Sequence, residues 1–75
     1  MKTRKIRLKT VEDLREFVQT ADRCSFDVDI LNGETRIDAK SIMGVMSLDL
    51  TKDLEVLCEG EDPDLERVFT EYAAE

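Results

Sequence analysis

The run Ala39-Lys40-Ser41-Ile42-Met43-Gly44-Val45-Met46-Ser47-Leu48 is the long stretch of low charge in a sequence that is 39% charged. A chain this polar must either bury such a cluster of Ile, Met, Val and Leu or present it to a partner. Ser41 stands where a helix N-cap would stand, and Gly44 limits the helix behind it to one or two turns over residues 42–47. Two readings compete: a short packed helix, or a docking surface with a modifiable serine at its head. Ile42 and Val45 are expected to point inward, with Met43 and Met46 outward beside Ser41. Leu48 extends the apolar patch.

The remainder of the chain has to supply the core against which this run packs. Seventy-five residues, 41% of them apolar, suffice for one small domain over residues 1–75 and argue against disorder. Lys2, Arg4, Lys5, Arg7 and Lys9 make the first nine residues basic, and all 18 acidic residues come after them. The basic stretch alternates with Ile6 and Leu8 and reads as the solvated face of a strand. The acidic body, part of a net charge of -7, opposes a nucleic-acid partner through phosphate repulsion. No run approaches the roughly 20 apolar residues of a membrane span, and no signal peptide is recognisable. The expected location is cytoplasmic, with Cys24 and Cys58 as reduced, buried thiols. The chain has no histidine, which excludes histidine nucleophiles, bases and metal ligands. The cysteines are too far apart in sequence for zinc-ligand spacing. Neither a metal nor a cofactor is expected, and Asp27 and Asp29 read as a solvated strand face.

Periodicity divides the chain into seven elements. Alternation over residues 3–8 predicts a strand. Thr10 with Asp13 resembles a capping box, opening a helix over residues 11–22 with Val11, Leu14, Phe17, Val18 and Ala21 on one stripe. Phe26, Val28 and Ile30 alternate with polar residues in a second strand. Asn32-Gly33, both tolerant of positive φ, predicts a hairpin into a strand over residues 34–39 with Ile37 and Ala39 inward. Residues 49–52 form a polar bend containing Leu50. Leu54, Val56 and Cys58 define the last strand. Asp62 as cap and Pro63 at the first helical position open a helix carrying Leu65, Val68, Phe69, Tyr72 and Ala73. The order β-α-β-β-α-β-α implies an α+β layer, one antiparallel sheet covered on one face.

This order and several local sequences resemble the HPr family of the bacterial sugar phosphotransferase system. Residues 40–48 match the family's regulatory-serine motif, and Val18-Gln19-Thr20-Ala21 the middle of its first helix. Asn32-Gly33 fits its hairpin, and Glu59-Gly60-Glu61-Asp62 the approach to its last helix. The resemblance implies an open-faced β-sandwich, a four-stranded antiparallel sheet with three helices on one side. It also implies two phosphorylation sites. One is a histidine at the head of the first helix, which relays phosphate from Enzyme I to the sugar permeases. The other is a serine at the head of the second helix, modified in Gram-positive relatives by an ATP-dependent kinase/phosphorylase.

The histidine position falls on Thr10 and its neighbouring arginine position on Glu12, and the connecting loop is shorter than the family's usual one. A carboxylate repels the phosphoryl group that a guanidinium would attract. Ser41 is intact. The resemblance therefore implies a non-catalytic regulatory or protein-binding domain, not an enzyme, phosphorylated on Ser41. Its protein-binding residues are Ile42, Met43, Met46 and Leu48. The implied partners are a kinase/phosphorylase of the HPr type or a transcriptional regulator. The alternatives are a phosphocarrier with another acceptor and a degenerate scaffold or interaction domain. Ser41 as a plain N-cap is the structural explanation of the same residue. A monomer is expected, with exchange of the first strand between chains as the alternative.

Overall fold

The computed structural model describes residues 2–49 and 51–74. Strand β1 (Lys2–Ile6) leads into helix α1 (Val11–Asp22), followed by the hairpin strands β2 (Val28–Asn32) and β3 (Thr35–Asp38). Helix α2 (Ile42–Met46), strand β4 (Leu54–Cys58) and helix α3 (Pro63–Glu71) complete the expected order. The strands form one sheet in the order β1-β4-β2-β3, antiparallel at every pairing. Three helices cover one face, as in the open-faced sandwich that the sequence predicts. The polar bend containing Leu50 falls partly outside the described residues.

Sheet register explains which side chains meet the helices. Arg4 pairs with Val56, Val56 with Ile30, and Ile30 with Ile37, so these four lie in one row on the inner face. Val28, Leu54 and Cys58 share that face, and with Phe17, Leu65, Val68 and Phe69 they form one buried cluster. The outer face carries Lys5 opposite Glu55, and an ion pair of 3.0 Å from Arg36 to Asp29. Asp29 is thereby engaged by a cation, and the described residues contain no acidic or cysteine cluster able to hold a metal ion.

Arg4 departs from the expectation that the basic residues line a solvated face. Its position in the inner row places the guanidinium 5.0 Å from the centre of the Phe69 ring and 2.8 Å from Glu66. An arginine can occupy this edge because its planar cation lies on an aromatic face while its N–H groups reach a carboxylate.

Both long helices begin where their caps direct them. Thr10 accepts from the Asp13 amide, and Asp13 reciprocates toward the Thr10 amide. Asp62 accepts from the amides of Asp64 and Leu65 ahead of Pro63. The strand ends differ more from the sequence reading. Leu8 is fully buried but lies beyond β1, and Phe26 precedes β2 instead of opening it. The hairpin turn is Gly33–Glu34, closing on the Asn32–Thr35 pair. Gly33 is its residue of positive φ, at 65°, and no non-glycine residue among those described has one. Asn32 therefore keeps strand geometry, and the glycine occupies the first loop position.

Ala73, expected on the α3 stripe, leaves the helix and bridges Ile6 antiparallel. The Arg7 amide donates to the Tyr72 carbonyl at 2.8 Å, and the Ala74 amide donates to the Lys5 carbonyl at 3.1 Å. The segment after α3 thus covers part of the free edge of β1, where unpaired backbone groups would otherwise remain exposed. Both cysteines are buried and neither is in a disulfide, as expected. Burial, the largest influence, raises the Cys24 thiol above its ordinary value. No helix is long and apolar enough to cross a membrane among the described residues.

Candidate functional site

Ser41 is held at the turn between β3 and α2 by a short series of backbone bonds. The buried Ala39 donates its amide to Val28 O at 2.9 Å. Asp38 Oδ1 accepts from the Lys40 amide at 2.9 Å, and Asp38 O from the Ser41 amide at 3.1 Å. The Ser41 side chain caps α2 by accepting from the Gly44 amide, at a long 3.5 Å. The caps of α1 and α3 are shorter, at 3.1 Å for Thr10 and 2.9 Å for the Asp62–Asp64 bond. Ser41 is exposed, and its oxygen is only loosely committed to the backbone.

Helix α2 has five residues, so inward and outward positions separate sharply. Val45 is fully buried, while Met43 is 82% and Met46 59% exposed. Ile42, expected to point inward, remains 38% exposed at the helix edge. Leu48, expected in the outward patch, is 7% exposed and belongs to the core cluster. Beyond the C-cap Ser47, the Leu48 amide still donates to the Val45 carbonyl at 3.1 Å, and Leu48 is buried like Val45 three residues before it. The exposed apolar surface of this region is therefore Ile42, Met43 and Met46.

Sequence periodicity also assigns Val11 to the buried stripe, yet it is 53% exposed. Val11 is the first residue of α1, one turn before the helix reaches the core at Leu14. A groove of about 460 Å³ runs between α1 and the start of α2, lined by Arg15, Val18, Gln19, Asp22, Lys40 and Ile42. The Lys40 ammonium lies 2.9 Å from the Cys24 carbonyl, crossing to the C-terminal end of α1. Nothing in the local pattern around Lys40 announces this contact, because it depends on how α1 and α2 are brought together.

At the head of α1, Thr10 occupies the position assigned to the family histidine. Its hydroxyl accepts from the Asp13 amide at 3.1 Å, while Asp13 Oδ2 accepts from the amides of Lys9 and Thr10 at 3.1 and 3.3 Å. These bonds, that from Lys9 foremost, hold the Asp13 carboxyl below its ordinary range. The protein's own carboxylate thus satisfies the amides of Lys9 and Thr10 at this helix head. The adjoining cleft includes Arg7, Lys9, Asp13, Asp53, Glu71 and Tyr72. Its Arg7 is paired with Asp53 at 2.8 Å, and the Tyr72 hydroxyl donates to Glu16 at 2.5 Å. The two regions differ chemically: a head of α1 whose amides are bonded to its own carboxylate, and a loosely bonded serine beside exposed methionines.

The family model for the PTS HPr component phosphorylation site matches residues 14–74. The match begins after Thr10 and Glu12 and includes Ser41. HPr-like protein Crh of Bacillus subtilis (strain 168) is 42% identical over 62 residues, covering 76% of this chain and 73% of that protein. The crystal structure of HPr-C-His from Thermoanaerobacter tengcongensis superposes with a TM-score of 0.74 at 28% identity, covering 93% of this chain and 92% of that one. Phosphocarrier protein HPr from Bacillus anthracis str. Ames gives 0.69 at 30% identity, with 95% and 93% covered. This chain belongs to the HPr family, the phosphocarrier family of the phosphotransferase system.

Proposed function

We propose that this chain is a regulatory, protein-binding member of the HPr family that does not carry phosphate on a histidine and is controlled through Ser41. The carrying observation is the contrast between its two candidate sites. Thr10 and Asp13 satisfy each other at the head of α1, in a chain without histidine. Ser41 is exposed, loosely bonded, and adjoined by Met43 and Met46. Methionine side chains adapt to different partner surfaces, which suits a docking patch. The proposal takes residues 1–75 as one domain, cytoplasmic and without enzymatic activity of its own. Its partners are a kinase/phosphorylase of the HPr type and, through the patch of Ile42, Met43 and Met46, a regulatory protein.

In the modifying step, the Ser41 hydroxyl oxygen attacks the γ-phosphorus of ATP. The new Oγ–P bond forms as the bond to the β–γ bridging oxygen breaks, ADP leaves, and the serine proton passes to a base on the kinase. The phosphate brings roughly -1.5 to -2 charges to a site already exposed, so its effect is on surface potential and not on the core.

Incubation with ATP and an HPr kinase, followed by mass mapping, tests this reading. Phosphate on Ser41, absent in Ser41→Ala, is expected, with no label from Enzyme I and phosphoenolpyruvate. An unmodified Ser41 together with no binding to the kinase overturns the regulatory reading. Label from phosphoenolpyruvate establishes instead a carrier that uses another acceptor.

A further inference from the structure

Resting on the reading of Ser41 as a modification site, we propose that Lys40 is its built-in counter-ion: on phosphorylation the ammonium leaves the Cys24 carbonyl and pairs with the phosphate. Lys40 is the only cation fixed by a hydrogen bond beside the β3–α2 turn among the described residues, with Nζ 2.9 Å from Cys24 O. Its partner there is a neutral carbonyl. A phosphate dianion is the stronger acceptor, because it adds to the hydrogen bond a Coulomb attraction between opposite charges that a neutral carbonyl does not supply.

Backbone geometry permits the exchange. Lys40 and Ser41 are consecutive, with Cα atoms about 3.8 Å apart, which places a phosphate on Ser41 within the span of the flexible lysine stem. The serine oxygen sacrifices little, since its bond to the Gly44 amide spans 3.5 Å. The five residues of α2 supply only a small helix dipole. A side-chain cation next to the serine is therefore a stronger source of compensation than the helix end.

The surrounding groups favour this compensation. Asp38 lies at the same turn, bonded to the Lys40 amide. Arg15 and Asp22 of α1 face Lys40 across the groove. Asp62 and Asp64, from the start of α3, act on Cys24 with a field that opposes ionisation. At the turn and along the groove, Asp38 and Asp22 stand against Arg15, so Lys40 is the cation adjacent to the serine that can balance a phosphate there. The exchange also changes the groove. Moving the ammonium from the Cys24 side to Ser41 removes a positive charge from one groove wall and frees the strap between α1 and α2. A partner docked there would sense phosphorylation through both changes.

The test uses the full chain with phosphoserine incorporated genetically at position 41, so its result does not depend on any kinase. Phosphorus NMR follows the second phosphate ionisation, and carbonyl-carbon NMR follows Cys24. The phosphate should titrate below the ordinary value of about 6. Lys40→Gln should raise that midpoint by about 0.3 units or more, and Lys40→Arg should restore it, as expected for one exposed ion pair. The Cys24 carbonyl resonance should shift between the unmodified and phosphorylated wild-type chains, a reading that requires no substitution. A midpoint unchanged in Lys40→Gln, or a Cys24 carbonyl unmoved by phosphorylation, overturns the proposal.

Discussion

Tyr72 and Glu16 show how a single side-chain pair can join two helices while remaining partly accessible to solvent. The Tyr72 hydroxyl donates to Glu16 at 2.5 Å across 56 residues of sequence. The phenol is pushed above its ordinary range, first by that bond, because ionisation would forfeit the donated hydrogen and place two anions side by side. Burial and the nearby Asp13 act in the same direction. A pKa raised on folding means that the folded state favours the neutral phenol. The associated stability is complete below the unfolded value of about 10 and is lost as pH rises beyond it toward the folded value. The chain has one tyrosine, so absorbance near 295 nm reports this group alone. Wild type should show little tyrosinate at pH 10.5 while circular dichroism remains native. Glu16→Gln, which removes the neighbouring charge, should lower the midpoint by about one unit. A wild-type midpoint at 10 in the folded state would show that the contact has no energetic weight.

At the scale of elements, the joints depend on close approach between connections that sequence periodicity treats separately. Gly60 precedes α3, and Phe26 precedes β2. A Cβ built on Gly60 would lie 2.6 Å from Phe26 Cδ2. The ring is partly buried against the core, so it cannot simply swing into solvent without losing apolar contact. Gly60→Ala should destabilise by about 1–3 kcal/mol, the usual range for overpacking. Phe26→Leu should cost less in the Gly60→Ala background than in wild type, since the smaller side chain relieves the same clash. Chemical denaturation of the four proteins measures this coupling; strict additivity would place the effect elsewhere. The same distinction between local and joint information governs what could be read from the chain. Thr10 with Asp13, and Asp62 with Pro63, specify helix starts through bonds spanning three residues or fewer, and both starts match the sequence prediction. Strand ends depend on a partner strand, which is why Leu8 and Phe26 are absent from the ladders despite their alternation. Ser41 and the outward methionines were legible at the candidate site. The burial of Leu48, the exposure of Ile42 and Val11, and the Lys40 contact with Cys24 require the packed molecule.

For the whole molecule, the balance of charge decides how stability responds to salt and pH. The described ion pairs span 2.8–3.6 Å, but one partner or both remain more than a third exposed in each. Such pairs contribute about 0.2–1 kcal/mol apiece and weaken with salt. Against them stands a net charge of -7 on a body with a radius of gyration of 10.8 Å. At low ionic strength the Debye length reaches about 30 Å, so nearly every pair of like charges acts across the molecule; at 0.15 M it is about 8 Å. The unfolded chain carries the same charge spread over a larger volume, so the repulsion bears more heavily on the folded state. Relief of this repulsion should outweigh the loss of the exposed pairs, and raising sodium chloride from 0.01 to about 0.3 M should increase the melting temperature at pH 7. Lowering pH toward 5 should have the same sign by beginning to discharge the carboxylates. Further acidification should reverse it. Asp13 titrates below its ordinary value in the folded protein, so its contribution is present above the unfolded value of about 3.9 and is lost as pH falls through the folded one. Stability should therefore pass through a maximum between the repulsive neutral range and this acid limb, and Asp13→Asn should flatten the acid limb without abolishing the response to salt at pH 7. Thermal melts over a grid of pH and salt measure both effects. A melting temperature that falls with added salt at pH 7 would mean that the specific ion pairs, including Arg4–Glu66, outweigh the net charge.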